Sequence, residues 1–109
     1  LLSQGNNDDF KEVLPGIKMK TLVYGHKTLL VEFRLARSAE LPGHAHPHEQ
    51  TGYLVSGRIE LKMGERATIV EAGGSWAIPG GVSHSARALE DSVAVEVFSP
   101  VREEYLPQG

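Results

Sequence analysis

The sequence predicts an all-β domain, a sandwich or barrel built from eight or nine short strands. Three observations carry that expectation. No stretch repeats apolar residues with a 3.6-residue period over a helix's length. Several stretches alternate apolar and polar residues, as strands with one buried face do. Glycine and proline interrupt the chain roughly every 8–12 residues, the spacing of turns in compact β domains. At 109 residues there is room for one domain around one core.

Residues 1–15 read as an N-terminal segment, polar and partly disordered over 1–9, with a short edge segment at 10–15. Residues 16–109 read as the single domain. The pattern KMKTLVY at 18–24 suggests a strand ended by Gly25-His26. Over 28–36, Leu29, Val31, Phe33 and Leu35 share one face, with Glu32 and Arg34 on the other. Pro42-Gly43 is read as a break. Residues 51–56 form a strand closed by Gly57, and over 58–63 Ile59, Leu61 and Met63 oppose Arg58, Glu60 and Lys62. Gly64-Glu65 then makes a tight hairpin to 67–70. Gly73-Gly74 turns into 75–78, and Pro79-Gly80-Gly81 turns into 82–89. In the last strand, 92–98, Val93, Val95 and Val97 lie on one face and Glu96 and Phe98 on the other. Pro100 ends it, and 101–109 is irregular or a short final turn.

Composition removes several function classes. The net charge is −3, from 11 basic and 14 acidic residues, which leaves no basic patch for nucleic acid. No apolar run approaches the ~18 residues of a membrane-spanning helix, and no signal peptide is expected at the start. Cysteine is absent, which excludes a disulfide scaffold and thiol chemistry. The cytoplasm is the expected compartment by default.

The chemistry concentrates in PGHAHPHEQTGYLVSG, residues 42–57. His44, His46 and His48 fall within five positions, and the chain has five histidines in all. In an extended segment His44 and His46 point the same way, and paired imidazoles suit a divalent transition metal. His84, in GGSWAIPGGVSH, is the obvious further ligand.

The two stretches resemble the cupin superfamily, small double-sheet jelly rolls whose barrel holds a metal. His44-Ala45-His46, three residues, Gln50, six residues and Gly57 follow the first cupin motif, with Gln where Glu is usual and the leading glycine displaced. Gly73, Pro79, Gly81 and His84 follow the second motif without a gap, although Ala88 stands where it ends in Asn. The resemblance implies a metal held by His44, His46, Gln50 and His84. A narrower likeness lies in HPHEQ and EVFSPVREEYL, which is similar to the single-domain cupins of pectin and alginate breakdown that act on 4,5-unsaturated monouronates. In those proteins an acidic residue, a Phe two places on and an Arg four beyond follow the spacing of Glu96, Phe98 and Arg102. Glu replaces the usual Asp.

That resemblance implies one divalent transition metal, Mn, Fe, Ni or Zn, which neutral imidazole does not discriminate. Three His and a Gln leave the ion's charge uncompensated, favouring Lewis acidity towards an anion. Glu96 is the candidate acid or base if its face lines the barrel, and a surface charge if it does not. Arg102 is the candidate clamp for a substrate carboxylate, or else pairs with Glu103 or Glu104. Phe98, Tyr53 and His48 complete the candidate substrate site: Tyr53 reads as core or interface, or else hydrogen-bonds at the barrel mouth, and His48 stands at the rim or beside the ligands, or else is itself a ligand. Glu49, of opposite parity to Gln50, is expected to face away, and His26 to be exposed. Trp76 reads as core or interface.

Three functions follow. The first is a metal-dependent enzyme converting a small anionic sugar or keto acid; the second is an Fe(II)-dependent oxygenase; the third is a non-enzymatic metal- or ligand-binding module. A homodimer is expected from the apolar Val93, Val95 and Val97 face and from the habit of the small cupins.

Overall fold

The computed structural model describes residues 2–106. Among them are ten strands and one 3-10 turn: β1 (Lys11–Leu14), β2 (Ile17–Tyr24), β3 (Leu29–Leu35), β4 (Glu40–His44), β5 (Glu49–Ser56), β6 (Arg58–Met63), β7 (Arg66–Glu71), β8 (Ser75–Ile78), β9 (His84–Ala88), β10 (Ser92–Ser99) and the turn Glu103–Tyr105. They form two antiparallel sheets, one of six strands in the order β1-β2-β3-β10-β5-β8, the other of four in the order β4-β9-β6-β7. This is the jelly-roll architecture, two sheets facing each other across one interior.

The alternation read from the sequence sorts side chains between interior and exterior. Leu29, Val31 and Leu35 of β3 and Ile59 and Leu61 of β6 are buried. In β10 the inward face is that of Ser92, Ala94, Glu96 and Phe98, with Phe98 only 1% exposed. Val93, Val95 and Val97 therefore lie on the outer side, half-buried rather than open. The apolar side chains most exposed on that sheet's outer face are Tyr53 and Val55 of β5, with Tyr53 in register with Val95.

β1 is the short edge segment expected at 10–15, and it pairs antiparallel with β2 at the sheet's edge, so the sheet begins ahead of residue 16. β4 exceeds the expectation. Pro42-Gly43 does not break the chain but lies within β4, where the pairing with β9 slips between Leu41 and His44. Proline lacks an N–H to donate, and β4 is an edge strand, so nothing is lost on its open side. The tail forms the expected short turn at Glu103–Tyr105, and the rest of the expected irregular tail, 107–109, lies outside the described residues.

The interior has an apolar part and a polar end. Ile17, Leu35, Ala39 and Ala88 pack as one cluster, and Met19, Leu29, Val31 and Phe98 as another, joined by Tyr105 and Leu106 from the tail. A cavity of about 220 Å³ runs between the sheets, walled by Phe33, Leu41, Ile59 and Leu61. His44, Gln50, His84, Glu96, Arg102 and Tyr105 line it as well. Among the described residues no helix is long and apolar enough to cross a membrane.

Candidate metal centre

His44 ends β4 and stands in register with His84, the first residue of β9. His46 comes from the loop that follows β4, not from the strand itself, so simple strand parity does not explain its position. The loop is placed by the second histidine stretch. The Gly81 N–H donates to the His46 carbonyl at 2.8 Å. Gly81 has φ +84°, a conformation that suits glycine. Gly80 packs so closely that a Cβ there would meet the Pro47 carbonyl oxygen at 2.2 Å.

Three rings converge as a result. Their centroids are 4.2 Å apart for His44 and His84, 5.1 Å for His46 and His84 and 5.6 Å for His44 and His46. One nitrogen from each lies within 4.8 Å of the other two. Each Nδ1 faces a backbone carbonyl two residues away: Pro42 for His44 at 3.1 Å, His48 for His46 at 2.9 Å and Val82 for His84 at 2.9 Å. A carbonyl can only accept, so each Nδ1 carries the proton and each Nε2 presents a lone pair. Metal-binding histidines are oriented in this way. The buried Nε2 of His84 has no hydrogen-bond partner. A buried nitrogen left unpaired is costly unless something else is bound there.

Gln50, 5% exposed, brings its Oε1 within 2.7 Å of His46 Nε2. With Nδ1 of His46 protonated, both of these atoms are electron-pair donors, and a cation between or beside them relieves their opposition. The residues present therefore fit a divalent metal bound by three imidazoles and an amide oxygen. Electrostatics agree. Burial lowers the pKa of His46 and so does the nearby Arg102, partly offset by the contacts with Gln50 and the His48 carbonyl. Burial likewise lowers that of His84, against the bond to Val82 and with the other two histidines and Arg102 adding to the effect. Both shifts favour the neutral ring, the form that ligates.

Glu96 faces inward, which decides the alternative that alternation left open. Its Oε2 accepts from the Gln50 side-chain amide and from Trp76 Nε1, the latter at 3.1 Å. Burial raises the pKa of Glu96, while the Trp76 and Gln50 N–H groups and Arg102 pull it back. Arg102 has both a surface-type and a site-type partner. Its Nε and Nη2 engage Glu104 at 2.8 and 2.6 Å, and its Nη1 donates to the Tyr105 hydroxyl at 2.9 Å. The side chain is nonetheless only 13% exposed and lies over the Tyr105 and Phe98 rings. Phe98 packs against His46 and Tyr105, ring centroids 6.0 and 5.4 Å away.

One expected site residue falls elsewhere, and another stands beside the ligands. Tyr53 is 48% exposed on the outer face, because it has opposite strand parity to the buried Gln50, Gly52 and Leu54; it does not reach the barrel mouth. His48 stands outside the three-histidine cluster and contributes its carbonyl to His46. Glu49 and His26 are exposed, as expected. Trp76 and Tyr105 also reach the site, outside the residues that the sequence motifs single out. Tyr105 carried a signal, since it follows Arg102 by three residues, the spacing of neighbours on a helical turn.

A family model for the cupin domain matches residues 31–100. This chain belongs to the cupin family. Two solved cupin structures share its architecture over nearly their full length. KdgF from a Halomonas species is 30% identical, with a TM-score of 0.92, covering 97% of this chain and 98% of the other. An RmlC-like cupin from Shewanella frigidimarina is 28% identical, with a TM-score of 0.91, covering 96% and 95%. The Cnp3 cupin domain of Schizosaccharomyces pombe, at 14% identity and a TM-score of 0.78 over 90% and 72%, shares the fold alone. No curated protein sequence matches this chain.

Proposed function

We infer that this cupin is a metal-dependent enzyme acting on a small anionic sugar or keto acid. The substrate we place first is a 4,5-unsaturated monouronate converted to its linear keto form. One observation carries the reading: a single cavity collects imidazoles with free lone pairs, an inward carboxylate and a guanidinium. The similarity to KdgF supports the substrate class.

His44, His46, His84 and Gln50 would hold the metal, which when bound supplies Lewis-acid polarisation of a carbonyl or hydroxyl. Arg102 pairs with the substrate carboxylate. Glu104 and Tyr105 engage Nε, Nη2 and Nη1 once each, which leaves further N–H groups of the fork for a ligand and fixes its plane. Glu96 takes up and returns the proton that an isomerisation moves. Its Oε2 is occupied by two N–H donors, so Oε1 is the oxygen that carries the proton. Phe98 forms an apolar wall beneath the substrate.

The test is metal analysis of the protein followed by turnover of unsaturated monouronates and keto acids in the absence of oxygen. Turnover with a redox-inert ion such as Zn²⁺ supports the reading. Activity that requires both Fe(II) and O₂ would make this an oxygenase instead, and metal binding without turnover of any acid would leave a binding module. The reading includes a homodimer formed through the outer face around Tyr53, Val55 and Val95, and light scattering showing a monomer at micromolar concentration would contradict it.

A further inference from the structure

Gln50, Glu96 and Trp76 come from three neighbouring strands of one sheet, β5, β10 and β8. Gly52 lies between the last two, in register with Glu96 on one side and Trp76 on the other. Its Cα faces the indole. A Cβ at position 52 would fall 2.3 Å from Trp76 Nε1 and 2.2 Å from its Cε2. The missing side chain is therefore a window, and through it the indole of β8 crosses β5 to reach a carboxylate on β10.

At that carboxylate the donor and acceptor roles are forced. Indole Nε1 can only donate, so Glu96 Oε2 is an acceptor. The Gln50 atom beside the same oxygen must then be the amide nitrogen. The amide has two ends, so its oxygen is turned towards His46 Nε2 and the centre of the three imidazoles.

We propose that Glu96, braced by Trp76 through the Gly52 window, is a positioning residue for the metal: it sets the Gln50 amide so that oxygen and not nitrogen faces the ion. An unanchored amide flips freely, and its nitrogen has no lone pair for a cation. The same arrangement accounts for glutamine at a position where the cupin motif carries glutamate. A glutamate at 50 would set two carboxylates against each other, whereas glutamine supplies an N–H to one side and an oxygen to the other. This inference rests on the metal centre proposed above and extends it to residues that touch no metal.

The test is Zn²⁺ affinity of the apo protein, measured by competition with a chromophoric chelator, with a thermal melt for each variant. Glu96→Leu removes the anchor, and affinity falls about 10–100-fold, the usual cost of losing the group that orients a ligand. Glu96→Gln keeps an oxygen that accepts the same two N–H groups, and affinity stays within about threefold of the parent. Trp76→Phe frees one side of the carboxylate, and affinity falls by a smaller factor. In a Gln50→Leu background Glu96→Leu causes no further loss, because the effect passes through Gln50. Equal losses for Glu96→Gln and Glu96→Leu, or the same loss with and without Gln50, would mean that the charge acts through space and would overturn the inference. So would unchanged affinity in both Glu96→Leu and Trp76→Phe; if Glu96→Leu does not fold, Trp76→Phe decides alone. A parent protein that takes up no zinc overturns the metal centre itself, and this inference with it.

Discussion

Replacing Gly80 with alanine should loosen the metal centre without altering any ligand. The added Cβ would stand 2.2 Å from the Pro47 carbonyl oxygen and 3.1 Å from its carbon, where real contacts essentially never fall below 3.0 Å. Both partners are backbone, so no side-chain rotation absorbs the clash, and the two loops must part by most of an ångström. Pro47 adjoins His46, whose carbonyl also receives the Gly81 N–H. Metal–ligand distances tolerate only about ±0.2 Å, so a displacement of that size takes His46 out of the coordination sphere. Zinc affinity should fall about 10–100-fold. Overpacking of this kind costs about 1–3 kcal/mol, and each kcal/mol lowers Tm by about 4–8 °C in a domain of this size. Chelator competition measures the first and a melt of the apo protein the second. Gly43→Ala is the control, one residue before His44, because its Cβ would meet nothing nearer than Ser83 Oγ at 4.0 Å. Parent-like zinc affinity in Gly80→Ala, or an equal loss in Gly43→Ala, would refute the claim that the second histidine stretch positions the first.

Other substitutions probe the remaining parts. Arg102→Ala removes a charge-assisted pair worth about 1.5–3 kcal/mol, so kcat/KM for an acidic substrate should drop about 10–150-fold with metal content unchanged. Arg102→Lys should restore only part of it, and unchanged turnover by Arg102→Ala would return this residue to a purely structural pairing with Glu104. Phe98→Ala empties a fully buried site and should cost about 3–5 kcal/mol by denaturant unfolding; a loss below about 1 kcal/mol would contradict the packing described. The pH dependence follows from His46 and His84, whose pKa values are lowered from 6.5 on folding, chiefly by burial. Below about pH 6.5 the unfolded chain binds protons that the folded chain does not, so these groups withdraw stability as pH falls and stop doing so below their folded values. Apo-protein melts between pH 7.5 and 5.5, compared with a His46→Gln/His84→Gln variant, should show the decline in the parent alone.

The parts of the fold that were legible in the sequence are those where one residue in two is apolar. Leu29, Val31 and Leu35, and likewise Ile59 and Leu61, announce which face is inside, because a strand with one solvated side must alternate. β10 was harder, since its valines occupy one parity and Glu96 and Phe98 the other. Apolar content alone favours the valine face, yet the structure turns Glu96 inward, where Trp76 and Gln50 satisfy its carboxylate. β4 was illegible because local turn chemistry at Pro42-Gly43 outweighs strand pattern; only the pairing with β9, distant in sequence, shows that an edge strand tolerates it. Of the candidate site, the motif residues His44, His46, Gln50 and His84 were readable as a set. Strand parity alone did not explain His46, which the loop carrying Gly80 and Gly81 holds in place. Tyr53 has the parity opposite to Gln50, so the same rule puts it on the outer face and away from the barrel mouth. Trp76 could be assigned to the site only once Gly52 was known to lie beside it.

A crystal structure of the metal-loaded protein, with the ion located by anomalous scattering, tests the metal centre most directly. One ion should be bound by Nε2 of His44, His46 and His84 and by Oε1 of Gln50, each at about 2.0–2.5 Å. The Gln50 nitrogen should still be on Glu96, and at least one coordination position should open to the cavity beside Arg102. An ion held through His48 or Glu49, or one with Gln50 turned away from it, would contradict a centre of three imidazoles and an amide oxygen.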